Sequence, residues 1–210
     1  MDEDYKSAVD RGDLLPLMEA FYSIQGEGFF AGRPAYFLRI GGCDVGCHWC
    51  DVKESWDPEL HPLTTVEKII HDINKYPVDT VVITGGEPLM WNLNKLTKSL
   101  RDKGLQVHLE TSGTFQKKGE FDWICLSPKK FQPAIDEIKL IANELKVIVC
   151  NKHDLQWAEE QANGVLDNCK LYVQPEWSKK QEVFPLIVDF VQRNKQWSIS
   201  LQTHKYMNIP

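Results

Sequence analysis

The stretch "TVVITGGEPLMWNLNKLTKSLRDKGLQVHLETSG", Thr80–Gly113, decides the fold. Thr80–Thr84 is a short, nearly continuous apolar run, the pattern of a strand buried on both faces of a parallel sheet. It stops at Gly85-Gly86. Leu93–Lys103 then reads as a helix ended by Gly104, and Gln106–Glu110 as the next strand. Strand, crossover helix and strand imply a parallel pair joined by a right-handed connection.

The same alternation extends in both directions. Upstream, Ala35–Ile40 is aromatic and β-branched and reads as a strand stopped by Gly41-Gly42. Thr65–Lys75 carries Val66, Ile69, Ile70 and Ile73 at helical spacing, and Pro77 ends it. Downstream, Trp123–Leu126 and Leu145–Cys150 read as strands, with a helix near Pro133–Ala142 between them. A helix over Asp154–Gln161, a strand over Leu171–Gln174, a helix over Lys180–Asn194 and a last strand over Ser198–Leu201 complete the series. About six or seven strands are too few for a closed barrel of eight. The fold class is therefore α/β, with a mostly parallel sheet forming an incomplete TIM-like barrel. In such folds the functional groups sit at the carboxyl ends of the strands. There stand "GGC", "GGEP", "TSG" and "SPK", placed to share one pocket.

The chain has 210 residues, 42% apolar and 26% charged, which suits a single folded domain over residues 1–210 and excludes disordered and fibrous classes. Residues 1–13 are expected as a flexible lead-in. With 24 basic and 30 acidic residues the net charge is −6, which argues against a nucleic-acid partner. The start, "MDEDYKSAVDRGDLL", lacks the apolar core of a signal peptide. No apolar run approaches the roughly 20 residues of a membrane span, so no membrane partner is expected. The expected location is the cytoplasm, where clustered cysteines are more often ligands than disulfides.

Cys43, Cys47 and Cys50 lie in "CDVGCHWCD" with spacing C-x3-C-x2-C. Thiolates on one tight loop suit an iron–sulfur cluster or zinc. Gly46 lets the loop turn, and Gly41-Gly42 lets backbone approach closely. Cys125, Cys150 and Cys169 stand alone in or beside apolar segments and read as small buried hydrophobes, which leaves a fourth metal corner open. A closed zinc site would need His48 or His61 as fourth ligand. His48, inside the C-x2-C step, is poorly placed to reach the same metal.

This spacing after a strand, with Trp49 before the third cysteine and "GGEP" at Gly85–Pro88, resembles the radical S-adenosylmethionine (SAM) superfamily. The resemblance implies a 4Fe-4S cluster held by Cys43, Cys47 and Cys50, with SAM on its open iron. Reduction then gives a 5′-deoxyadenosyl radical. "YSIQGEGFFAGRPAYFLRIGGC" (Tyr22–Cys43), "LETSGT" (Leu109–Thr114) and "LQTHKYMNIP" (Leu201–Pro210) further resemble the 7-carboxy-7-deazaguanine synthases, over nearly the whole chain beyond Leu14. That family converts 6-carboxy-5,6,7,8-tetrahydropterin to 7-carboxy-7-deazaguanine with loss of ammonia, regenerates SAM, and feeds queuosine synthesis. It implies a small pterin substrate, an electron donor such as flavodoxin or ferredoxin, and a homodimer.

Site residues follow from the same resemblance. Trp49, Asp51, Gly86, Glu110, Ser112, Ser127, Lys129 and Gln174 are expected to bind SAM. Ile24, Gln25, Gly26, Arg39, Thr84 and Pro210 are expected to bind the substrate. The residue chemistry is compatible. Arg39 offers a planar fork to a carboxylate, with a surface ion pair as its alternative. Gln25 both donates and accepts, matching a pterin edge. Glu110, a carboxylate ending a buried strand, needs polar partners.

One position departs from the family pattern. Many members carry Thr or Ser after the C-D pair, where its hydroxyl helps bind magnesium. Here Val52 has no oxygen, and magnesium demands oxygen ligands. Magnesium is therefore a doubtful cofactor, and Lys53 or Arg39 alone is expected to supply the positive charge. Two other readings share the cysteine motif: an activating enzyme for a glycyl-radical protein, and a non-catalytic zinc-binding module.

Overall fold

A computed structural model describes residues 3–210. Strand β1 (Leu14–Ile24) follows a short helix α1 (Glu3–Asp10) and runs antiparallel to β2 (Pro34–Ile40). A three-residue strand β3 (Leu63–Thr65) pairs with the start of β1, also antiparallel. Helix α2 (Val66–Ile73), β4 (Thr80–Gly85), α3 (Asn94–Arg101), β5 (Gln106–Thr111) and β6 (Trp123–Leu126) come next. Then follow α4 (Asp136–Lys139), β7 (Glu144–Val149), α5 (Lys152–Ala162) and β8 (Lys170–Pro175), and finally α6 (Lys180–Arg193), β9 (Trp197–Ile199) and α7 (Thr203–Met207).

The sheet order is β3-β1-β2-β4-β5-β6-β7-β8-β9. From β2 to β9 every neighbouring pair is parallel. The incomplete barrel expected from the sequence is therefore present. Its gap lies between the first strands and β9, and the loop after β1 reaches across. Gly28 N donates to Ser200 Oγ at 2.9 Å, and Thr203 N to Gly26 O at 2.9 Å. Among the described residues no helix is long and apolar enough to cross a membrane.

Strand alternation divides the sheet into two chemistries. Leu38, Ile40, Val81, Ile83 and Val107 pack outward against Val66, Ile69 and Ile73 of α2 and Leu96 and Leu100 of α3. Leu109, Ile124, Leu145, Val147 and Val173 pack against Leu155 of α5 and Val183 and Ile187 of α6. The alternate positions, including Arg39, Thr84, Glu110, Lys146 and Gln174, border the concave side. Beyond them Phe29 stacks on Trp123 at 5.0 Å and Phe30 lies 4.5 Å from the ring of His108.

Three expectations are corrected. β1 and β3 bring the strand total to nine, more than the six or seven read from the sequence. The helix expected over Pro133–Ala142 shrinks to Asp136–Lys139. Its flanks are committed elsewhere: Ile135 N donates to Gly113 O at 2.8 Å and Asn143 N to Ile124 O at 3.0 Å. α2 begins at Val66 because the Thr65 hydroxyl caps it, accepting from Lys68 N at 3.1 Å. Within the lead-in, Glu3–Asp10 is helical, and Asp13 pairs with Lys95 at 2.9 Å; Met1 and Asp2 lie outside the described residues.

Candidate active site

A cavity of about 830 Å³ opens at the carboxyl ends of the parallel strands, a size suited to small ligands. Glycines shape the turns around it. Gly86 N donates to Ile40 O at 2.9 Å and Glu87 N to Gly42 O at 2.8 Å, so the turns after β2 and β4 are laced together. A Cβ on Gly86 would stand 2.2 Å from Gly42 O and 3.0 Å from Cys43 Cβ. Only glycine allows this approach.

Cys43, Cys47 and Cys50 are free thiols, and all three border the cavity. Gly46 turns their loop in the left-handed region, at φ +68°. Cys50 N donates to Cys47 O at 3.0 Å. Among the described residues no three metal-donor side chains converge on one closed point. Three soft sulfurs on one loop nonetheless suit an iron–sulfur cluster with one free corner. Burial raises the Cys43 and Cys47 thiols above their usual range, so a metal's charge would be needed to favour thiolate. Cys125 and Cys169 are buried as expected, whereas Cys150 is half-buried and borders the cavity.

The expected cofactor residues surround this loop. Trp49 packs against Phe131 at 5.2 Å and edge-on to His48 at 4.5 Å. Asp51 pairs with Lys205 of α7 at 2.9 Å. Lys129 folds back to donate to Ser127 Oγ at 2.9 Å and to the Ser127 carbonyl. Burial lowers its pKa, an effect opposed by Cys47 and Glu87. Gln174, also buried, accepts from Ser200 Oγ at 2.6 Å. Ser112 is already engaged: its amide donates to Glu87 Oε2 at 2.7 Å and its hydroxyl to the same oxygen at 2.5 Å.

The expected substrate residues form the other part of the lining. Ile24, Gln25 and Gly26 leave β1 beside the tail. Arg39 and Thr84 are paired neighbours on β2 and β4. Arg39 makes the ion pair that was its alternative reading. It borders the cavity, and its Nε donates to Glu19 Oε2 at 2.8 Å. Pro210 also borders the cavity, and its main-chain oxygen accepts from Ser23 Oγ at 3.0 Å.

Sequence reasoning missed a buried charge system. Lys146, on β7, is within 2.7 Å of Glu27 Oε2 and 2.8 Å of Glu110 Oε2. Burial alone would raise Glu27, but the Lys146 ammonium and hydrogen bonds from Lys146 and Gln202 bring it down to about 2. Burial opposes charge on Lys146 as well, yet Cys125, Glu110 and Glu27 hold its pKa well above the ordinary lysine range. Below them, Glu144 Oε2 accepts from Phe29 N and Trp123 Nε1, each at 3.2 Å, and burial raises its carboxyl. A lysine inside an apolar strand, "ELKVIV", was the available signal.

The sequence profile of the radical SAM superfamily matches residues 38–157. A 7-carboxy-7-deazaguanine synthase of Flavobacterium psychrophilum is 56% identical over 210 residues, covering 100% of both chains. The Synechocystis enzyme of the same name is 45% identical over 194 residues, covering 92% of this chain and 93% of its own. The crystal structure of QueE from Escherichia coli superposes with a TM-score of 0.81 at 28% identity, covering 95% of this chain and 98% of that one.

Proposed function

The chain belongs to the 7-carboxy-7-deazaguanine synthases of the radical SAM superfamily, and from that membership we propose how its own residues divide the work. The reaction is the ring contraction of 6-carboxy-5,6,7,8-tetrahydropterin to 7-carboxy-7-deazaguanine with loss of ammonia, a step towards queuosine. The observation that carries the reading is the shared cavity. The three thiols and the ends of β2, β4, β5, β7 and β8 meet in one space of about 830 Å³.

A cluster with bound SAM would supply one-electron radical chemistry in this cavity. Cys43, Cys47 and Cys50 hold that cluster. Trp49, Asp51, Gly86, Glu110, Ser112, Ser127, Lys129 and Gln174 hold SAM. The Gly86 backbone can approach a ligand closely because no side chain intervenes. Ser112 acts mainly by fixing its turn, because its amide and hydroxyl already serve Glu87. Ile24, Gln25, Gly26, Thr84 and Pro210 receive the pterin, and the Arg39 donors left free by Glu19 face its carboxylate. The loop after β1 and the tail shield the cavity from water.

Magnesium plays a minor part in this chain. Val52 offers no oxygen, and Lys53 lies over the Trp56 ring, 5.9 Å from its centroid. Arg39 borders the cavity with donors left free by Glu19 and supplies the positive charge. A low-potential donor such as flavodoxin or ferredoxin supplies the electron, and the functional form is a homodimer; both rest on the family resemblance. Anaerobic protein with reductant, SAM and carboxytetrahydropterin should release a product with the mass of 7-carboxy-7-deazaguanine. A preparation holding about four iron and four sulfide per chain that makes none would refute the assignment.

A further inference from the structure

Lys146 sits in the cavity wall with 4% of its side chain exposed, and it joins two segments with different duties. Glu27 comes from the loop after β1, next to Gln25 and Gly26. Glu110 ends β5, beside Thr111 and Ser112. Both carboxylates contact the one ammonium, at 2.7 and 2.8 Å. Glu27 Oε1 is held in addition by Gln202 Nε2 of the tail, at 2.9 Å. Among the described residues Glu110 has no ion-pair partner besides Lys146.

We propose that Lys146 is a positioning residue that couples the two halves of the active site, so that SAM and the pterin bind with positive cooperativity. The proposal rests on assigning the Glu110 side to SAM and the Gln25-Gly26 loop to the substrate.

The physical argument is one of shared order. A ligand that hydrogen-bonds Glu110 fixes that carboxylate, and with it the ammonium that both carboxylates share. Glu27 then has a fixed partner, and the loop bearing Gln25 and Gly26 is held against the sheet. The ordering penalty falls on whichever ligand arrives first, and the second meets a site already arranged. Binding linkage makes the effect reciprocal. Two carboxylates and one ammonium also leave one net negative charge. Without the ammonium, two partly buried carboxylates would face each other without a cation, so Lys146 favours their shared arrangement.

The test is calorimetric titration of the reconstituted, oxygen-free enzyme with SAM, without reductant so that nothing turns over. It is done with and without saturating carboxytetrahydropterin. In the wild type the pterin should tighten SAM by about tenfold, within the roughly 5- to 150-fold range of such couplings. K146M should reduce that factor to about one, and K146R should restore much of it, because a guanidinium fork can serve both carboxylates. If K146M fails to fold, E27Q/K146M keeps the triad's net charge of −1 on Glu110 alone and should likewise lose the coupling. A purely structural lysine would weaken both ligands and leave the ratio unchanged, which overturns the proposal. So does a wild-type factor of one. A wild type that binds neither SAM nor the pterin instead refutes the ligand assignment itself.

Discussion

Thr203 closes directly on Gly26: its amide and hydroxyl donate to the same carbonyl oxygen, at 2.9 and 3.1 Å. Beside them His204 fills the space a side chain would need. A Cβ on Gly26 would stand 2.0 Å from His204 Nδ1. Gly26→Ala should therefore detach the tail. Hydrogen exchange across residues 201–210 should accelerate while β4 and β5 stay protected, and the KM for the pterin should rise by at least about tenfold, since roughly 1.4 kcal/mol of lost contact suffices. G26A/H204A should slow the exchange again. Unchanged tail exchange in G26A would show that the tail is not held this way.

A pH effect follows from the aromatic plug. His108 packs against Phe30, which in turn meets Trp123 edge-on, and burial lowers its pKa to about 4, helped by Arg33 and opposed by Asp122. A histidine depressed from its ordinary 6.5 contributes stability that is full above that value and is lost as pH falls towards 4. The loss is about 3 kcal/mol at 1.36 kcal/mol per pH unit of displacement. Urea unfolding should show the wild type losing about that much more than H108Q between pH 7 and 4. Parallel curves for the two proteins would count against a neutral, buried His108.

Legibility divided along the sheet. The apolar alternation on the outer face made β4 to β8 readable, because Val81, Ile83, Leu109 and Val147 must pack against helices. β1 was not readable. "LLPLMEAFYSI" contains Pro16 and a bulge between Leu17 and Glu19, and its partner β2 runs antiparallel. The cysteine loop and the strand-end glycines were legible because their spacing is local. Glu27, Lys146 and Gln202 were not, since their meeting depends on register between segments up to 175 residues apart.

Val52, beside Asp51 in the cavity lining, carries no side-chain oxygen. Chelation with EDTA should lower wild-type turnover by less than about twofold, because no side-chain oxygen is available there for magnesium. V52T should gain a magnesium response, seen as a several-fold rise in kcat/KM for the pterin on adding the ion. Wild-type activity abolished by chelation and restored only by magnesium would refute the replacement of the ion by Arg39.

Glu87 presents the sharpest structural demand in the "GGEP" turn. It is 1% exposed and accepts four hydrogen bonds. Oε1 takes Leu89 N at 3.1 Å and Thr111 Oγ1 at 2.6 Å, and Oε2 takes both the amide and the hydroxyl of Ser112. The carboxylate thus joins the turn after β4 to the turn after β5, placing Gly86 and Ser112 relative to each other. A glutamine keeps the shape but must aim its NH2 at one of these pairs. The hydroxyls of Thr111 and Ser112 can rotate to accept, whereas the amides of Leu89 and Ser112 cannot. Either orientation therefore leaves a buried backbone donor facing another donor, at about 1–3 kcal/mol, with the weakening of charge-assisted bonds added. E87Q should lose about 3 kcal/mol in urea unfolding, by the same reasoning. Its SAM affinity should fall by more than tenfold in titrations of the reconstituted enzyme, because both turns bear on that ligand. An E87Q protein with wild-type stability and SAM affinity would mean that the two turns hold their spacing without Glu87.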